Sequence, residues 1–145
     1  MKRLYSLQRA NEYVAGFRVP GLEIVPVVVT AQGDATSRLA KLTGDQVLIA
    51  RPEIHQKGDA DDFSSEVSLA FFVLAKDLGP AYTPALEDEA FKRLAEIASL
   101  ILEQFSEDTT RCSLLAGLST SSIDVTPESS LFGGWFGYSI DITMK

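Results

Sequence analysis

The C-terminal segment alternates strictly between apolar and polar residues, and no other pattern in the chain constrains the fold as strongly. One side of residues 136–144 is apolar: Phe136, Tyr138, Ile140, Ile142 and Met144. The other side is small or polar: Gly137, Ser139, Asp141 and Thr143. Successive side chains of a β-strand point to opposite faces of a sheet, so this period of two predicts a strand with one buried and one solvated face. We therefore expect the C-terminal segment to complete the hydrophobic core.

Residues 84–105 have the pattern of a long amphipathic helix. Thr83 is a favourable N-cap, and Pro84 stands at the first helical position, where its missing N–H costs nothing. The acidic residues at 87–89 lie at the positive end of the helix dipole. One face then carries an apolar stripe: Ala90, Phe91, Leu94, Ile97, Ala98, Ile101 and Phe105. This stripe predicts a helix that packs against a sheet.

Shorter apolar segments predict the remaining strands. Residues 22–30 are apolar on both faces and rich in β-branched residues, although Pro26 within them indicates a bulge or an edge position. The polar stretch 31–44 has room for a single helical turn at 38–42. Further strands are predicted at residues 47–50 (ended by Pro52), 64–76, 113–118 and 123–126.

Together with a short helix over residues 4–14, these elements follow the order α-β-β-β-α-β-β. Strands outnumber helices, and the order lacks the regular alternation of a doubly wound fold. The chain is therefore predicted to form a single α+β domain over residues 1–145. Its mostly antiparallel sheet of about five strands is expected to pack against the helix at 84–105.

Charge and composition argue against several partners. The net charge is −7 and the 13 Lys and Arg residues are scattered, so nucleic acid is not the expected partner. No segment has the roughly 18 consecutive apolar residues of a membrane span, and the residues after Met1-Lys2-Arg3 are too polar for a secretory leader. Cys112 is the single cysteine, which excludes an internal disulfide. We expect a cytoplasmic protein without a membrane partner.

The candidate catalytic and metal-binding residues are better interpreted as solvated side chains. His55 is the only histidine; it falls in the acidic stretch 53–62, which we expect to be an exposed loop, and the chain has no Gly-x-Ser-x-Gly nucleophile motif. Three acids of the same stretch resemble the start of a calcium loop: Asp59, Asp61 and Asp62. The next ligand position and the required glycine are missing, because Phe63 and Ser64 stand there. We therefore expect no catalytic, cofactor-binding or metal-binding residues.

Four apolar residues are the candidates for an interface. Around Gly133-Gly134 the chain crowds large apolar side chains, and a strand that buries Phe136 and Tyr138 would point Trp135 the other way, beside Phe132. The second face of the strand at 64–76 also becomes apolar towards its end, so it needs a cover from a helix or another subunit. The interface candidates are Phe72, Leu74, Phe132 and Trp135. The alternative is internal cover by the N-terminal helix.

Three features together resemble the small tail-terminator and tail-completion (minor tail) proteins of tailed bacteriophages. A helix precedes the apolar strand at 22–29, a strand–loop–helix unit spans 64–105, and a glycine–aromatic closing strand runs from Phe132 to Ile142. The resemblance implies a structural protein without an active site that forms a homo-oligomeric ring and contacts other tail or neck proteins. It also implies contact loops at 31–44 and 53–62. Pro26 departs from the pattern, since it interrupts a strand that would be central.

The function expected from the sequence is therefore a non-enzymatic structural or assembly role. The chain would be derived from a phage or prophage and would self-associate at the tail or head–tail junction, in the cytoplasm or in the virion. Two alternatives remain open. One is a small-molecule or peptide binding module of a cytoplasmic bacterial protein, and the other is an enzyme that uses His55 or the acids at 59–62.

Overall fold

The chain forms an α+β fold with a five-stranded mixed sheet. The computed structural model describes residues 2–58, 63–111, 113–115 and 118–145. Within them the elements are α1 (Lys2–Gly16), β1 (Val27–Val29), α2 (Gln32–Leu39), β2 (Gln46–Gly58), β3 (Phe63–Lys76), α3 (Pro84–Arg111), β4 (Thr120–Leu131) and β5 (Trp135–Met144). Short 3₁₀ turns occur at Gly79–Ala81 and Ser113–Leu115. The predicted fold class is confirmed, with α3 longer than the stretch 84–105.

The spatial order of the strands is β1-β2-β3-β5-β4. The pair β1–β2 is parallel, and the other three neighbouring pairs are antiparallel. The C-terminal strand β5 is thus internal, with β3 on one side and β4 on the other. The apolar face of β5 is buried as predicted, because Ile140, Ile142 and Met144 are at most 1% exposed. The other face is not solvated along its whole length as expected, since Gly137 and Ser139 are buried and only Asp141 is exposed.

The sheet face covered by α1 and α3, the helix face, holds the larger part of the core. The stripe of α3 packs there with the inward residues of β2, β3 and β5, and Leu94 and Ile101 are completely buried. Tyr13 of α1 donates a 2.7 Å hydrogen bond to Asp108 of α3. This bond fixes the two helices near the C-terminal end of α3 and lies beyond Phe105, where the apolar stripe ends.

The opposite face, the α2 face, is covered at one end only. The predicted single turn at 38–42 is instead a helix of eight residues that begins at Gln32. Ala35 and Leu39 of this helix are completely buried against the sheet. The rest of the α2 face, towards the C-terminal end of β5, remains open.

Two of the predicted strands differ in length near a proline, although the edge position that Pro26 indicated is confirmed, because β1 lies at one edge of the sheet. Pro52 does not end β2, which continues to Gly58 through a register shift between Ala50 and Glu53. Such a bulge tolerates a residue that cannot donate to the ladder. The strand expected at 22–30 is reduced to Val27–Val29, because the chain before Pro26 packs on the core without joining the sheet.

The strand predicted at residues 113–118, after α3, is also wrong. Ser113–Leu115 form a 3₁₀ turn rather than the start of a strand, and residues 116 and 117 lie outside the described part. The strand predicted at 123–126 is the much longer β4. Asp59, Asp61, Asp62 and Cys112 also lie outside the described residues.

Candidate interaction surfaces

The four interface candidates of the sequence lie together, but α2 covers them. Trp135 is 3% exposed and Leu74 is completely buried, and both pack with Ala35 and Leu39 of α2. Phe72 and Phe132 are half-buried and meet edge to face, with 5.2 Å between ring centroids. The indole is therefore not exposed, as a contact of Trp135 with a second copy would require. The cover is also not the N-terminal helix, because α1 lies on the opposite face of the sheet.

The open surface next to these residues is the edge strand β4. Nearly all of its twelve residues are exposed, and no other strand in the described ranges pairs with its outer side. Ile123 and Val125 point to the helix face but lie beyond its helices, so each is 45% exposed. An edge strand presents unpaired N–H and C=O groups that another chain can bind. β4 thus combines an open backbone edge with exposed apolar side chains.

The α2 face beside β4 is acidic. Asp124 of β4 lies directly opposite Asp141 of β5, and Glu128 accepts a 3.1 Å hydrogen bond from the Ser139 hydroxyl. Burial raises the pKa of Asp141, and the charges of Asp124 and Glu128 raise this pKa further. Like charges placed opposite each other on neighbouring strands are destabilising. A counter-charge from outside the chain would relieve this repulsion.

The other edge of the sheet, at β1, is short and capped. Arg38 donates from Nη1 to the Val28 carbonyl at 3.2 Å and from Nε to Asp34 at 3.1 Å. Asp34 in turn accepts the Thr30 backbone N–H at 3.1 Å. This backbone bond is the main cause of the lowered pKa of Asp34, and the neighbouring Arg38 lowers it further. The side chains of α2 thus occupy backbone groups that would otherwise be free at this edge.

A shallow groove runs between α2 and β1. We call it the α2 groove; its volume is about 470 Å³, and it is lined by Val27, Asp34, Ser37, Arg38, Lys41 and Leu42. Val27 and Leu42 form its apolar floor, whereas Lys41 and Arg38 supply positive charge at its rim. Asp34 is the acid of the groove, and its carboxylate is bound by Arg38 and Thr30.

A second groove of about 350 Å³ occupies the open part of the α2 face. Arg51 and His55 of β2 line it together with Asp141 of β5, although His55 lies level with Glu66 of β3 and Asp141 level with Ala70. His55 belongs to a strand rather than a loop, and its Nε2 lies 3.7 Å from Glu53, with both side chains more than half exposed. Within the described residues, no group of three His, Cys, Asp or Glu side chains is arranged to hold a metal ion.

No protein-family model matches this chain, and no curated protein has a significantly similar sequence. In the described part of the chain, none of the helices is long and apolar enough to cross a bilayer. Three surfaces of the described chain offer groups that a partner or ligand could bind: β4, the α2 groove and the polar groove around His55.

Proposed function

We propose that this protein is a non-enzymatic structural protein that self-associates, as do the ring-forming tail proteins of bacteriophages that its sequence resembles. The observation that supports the proposal best is the open edge of β4. The phage or prophage origin rests on the order of the elements and on the glycine–aromatic closing strand. Other tail or neck proteins are the partners that this origin implies.

The contrast between the two sheet edges supports this proposal. Natural sheets protect their edges by short strands, by charged side chains, by proline or by covering groups. The β1 edge has such protection, since it is three residues long and capped by Arg38. β4 also carries Asp124 and Pro127 and shifts register at Thr120–Ser122 and at Glu128–Leu131, but it is four times as long as β1, and its stretch from Thr120 to Thr126 has no proline and exposes Ile123 and Val125. An edge of this kind is suited to a partner rather than to solvent.

Light scattering after gel filtration tests the proposal. We expect the wild-type mass to rise above that of a monomer as the concentration increases, and we expect the double variant I123K/V125K to remain monomeric. The control L86K/L100K makes the same change at residues of α3 that are 42% and 41% exposed, and it should still associate. A wild-type protein that is strictly monomeric at about 1 mM, where even an association of about −4 kcal/mol would be visible, contradicts the proposal.

The polar groove around His55 favours a second candidate function, a small-molecule or peptide binding module. Arg51, His55 and Asp141 all line it, and a concave site with a few polar groups is typical of ligand sites. A thermal-shift screen tests this candidate, because a ligand that binds only the folded state raises the melting temperature. A stabilising compound whose effect is lost in R51A would support it. A screen without any stabilising compound would favour the structural role.

A further inference from the structure

We infer that β4 of one copy docks on the β1–α2 edge of a second copy, so that the protein associates head to tail. This inference rests on the proposed self-association and identifies the two surfaces that meet. The occupant of the β4 edge is thus a second copy of this chain, bound through its α2 groove.

The direction of the strands allows this contact. Across the sheet, β1 and β2 run the same way and each following strand reverses, so β4 runs opposite to β1. A second copy that continues the sheet in the same orientation therefore places its β1 antiparallel to β4. Backbone pairing at this contact requires Arg38 to release the Val28 carbonyl that it binds in the isolated chain. The same orientation also keeps its α2 on the face that carries Asp124 and Glu128.

Charge complementarity on the α2 face favours this arrangement. The β4 side contributes Asp124 and Glu128, with Asp141 behind them. The α2 groove contributes Lys41, and Arg38 there is already paired with Asp34 of its own copy. Docking would bring a cation to the carboxylates that raise the pKa of Asp141 within the chain. Opposite charges in facing positions fix the register of an interface and suppress wrong pairings.

A symmetric contact between two β4 strands is disfavoured by the same charges. A two-fold axis perpendicular to the sheet would also pair β4 antiparallel to its copy, but it would keep the same face up. Asp124, Glu128 and Asp141 of both copies would then meet on one side, and no base of β4 would oppose them. Such repulsion makes the isologous contact the poorer choice.

On the helix face, both docking surfaces carry apolar side chains. Ile123 and Val125 of β4 are exposed there, and the β1 edge presents the half-buried Leu22, Ile24 and Val28 on that face. A head-to-tail contact therefore removes apolar surface from water on one face and pairs charges on the other. Because every copy keeps one free β4 and one free groove, the contact builds either a closed ring or an open chain.

Mixing two variants, each with one damaged surface, tests the inference. I123K/V125K damages β4 and leaves the groove intact, whereas S37E/K41E reverses the charge of the groove and leaves β4 intact. We expect each variant to be monomeric alone by light scattering. An equimolar mixture should form a heterodimer of twice the monomer mass and nothing larger, because only one intact pair of surfaces remains.

The controls place the same kinds of change on α3, at positions that belong neither to β4 nor to the lining of the α2 groove. K92E/S99E matches the groove variant and L86K/L100K matches the β4 variant; all four positions are exposed, and both controls should associate like the wild type. Circular dichroism confirms that each variant is folded. If I123K/V125K is not folded, D124K replaces it. A lysine at position 124 faces the basic groove and should also prevent association. Adding K41E to D124K in the same chain should restore association.

Two outcomes overturn the inference while leaving the proposed function standing. One is an S37E/K41E variant that still associates alone, which would mean that β4 pairs with itself or with another surface. The other is a wild type that associates while the mixture of the two variants remains monomeric. A wild-type monomer at all concentrations would contradict both the inference and the proposed function.

Discussion

Asp141 lies where burial and two neighbouring carboxylates oppose its negative charge. Its pKa is therefore raised in the folded protein. A carboxyl group whose folded pKa lies above its unfolded value stabilises the protein most below the unfolded pKa. That contribution is lost as the pH rises through the folded pKa. At neutral pH the ionised Asp141 is thus unfavourable to the isolated chain, which is consistent with a role in binding a partner.

Replacing Asp141 by Asn should consequently raise the melting temperature at pH 7. The gain should disappear at about pH 3, below the ordinary pKa of an aspartate, where the wild-type side chain is itself neutral. Thermal denaturation at the two pH values measures this difference, and Glu23→Gln in an exposed segment serves as the control. A melting temperature that falls in D141N at pH 7 would show that the charge is stabilising.

Gly137 is the position of β5 that tolerates a side chain least. Its φ is +153°, and an added Cβ would lie 1.9 Å from the Val73 carbonyl oxygen and 3.1 Å from Leu94. We expect G137A to lower the free energy of unfolding by about 2–4 kcal/mol, since the backbone of β3 or β5 has to move.

The matched control for this substitution is G33A in α2. An added Cβ there meets nothing within 4 Å, and alanine favours a helix over glycine by about 1 kcal/mol. Urea denaturation of both variants gives the comparison. Equal stability of G137A and the wild type would contradict the close approach of β3 to β5.

At the scale of elements, α2 decides whether the single tryptophan is exposed. Leu39 is completely buried between α2 and the sheet, in the cluster that contains Trp135. L39A should cost about 2–5 kcal/mol through the cavity it leaves. It should also shift the Trp135 emission to longer wavelength as water reaches the indole. The control L100A, at a residue that is 41% exposed, should change neither the stability nor the emission wavelength. An unchanged emission in L39A would contradict the cover of Trp135 by α2.

The elements that the sequence predicted correctly are those with a long and regular pattern. β5 alternates over its whole length and α3 has both a start signal and an extended stripe, so local patterns were sufficient for them. α2 was underestimated because only Ala35 and Leu39 are buried in eight residues that also contain Gly33. For this reason neither interpretation of Trp135, as an interface residue or as one covered by the N-terminal helix, included the helix that covers it.

The candidate surfaces could not be predicted because they depend on strand order. The chain gives β4 before β5, but β5 pairs on both sides and leaves β4 at the edge. The same pairing brings Asp124 opposite Asp141. These two residues are too far apart in the sequence for a local pattern to relate them. Likewise, His55 and Asp141 line the same groove only because β2 and β5 are the two neighbours of β3 in the sheet.

At the scale of the whole molecule, the two edges of the sheet are chemically different. A chain with a net charge of −7 repels its own copies unless the contact places acids against bases. The β4 edge and the α2 groove satisfy that requirement. We therefore expect a head-to-tail assembly, in which β4 of each copy binds the β1–α2 edge of the next, rather than a symmetric dimer.

Hydrogen exchange at the β4 backbone is the most direct test of the central claim, which is that copies of the chain associate through this edge. We predict that the exchange of amides from Thr120 to Thr126 slows as the protein is concentrated, and that I123K/V125K abolishes this slowing. Amides of α3 around Leu100 should show no dependence on concentration. Exchange in β4 that remains equally fast at every concentration would contradict the account.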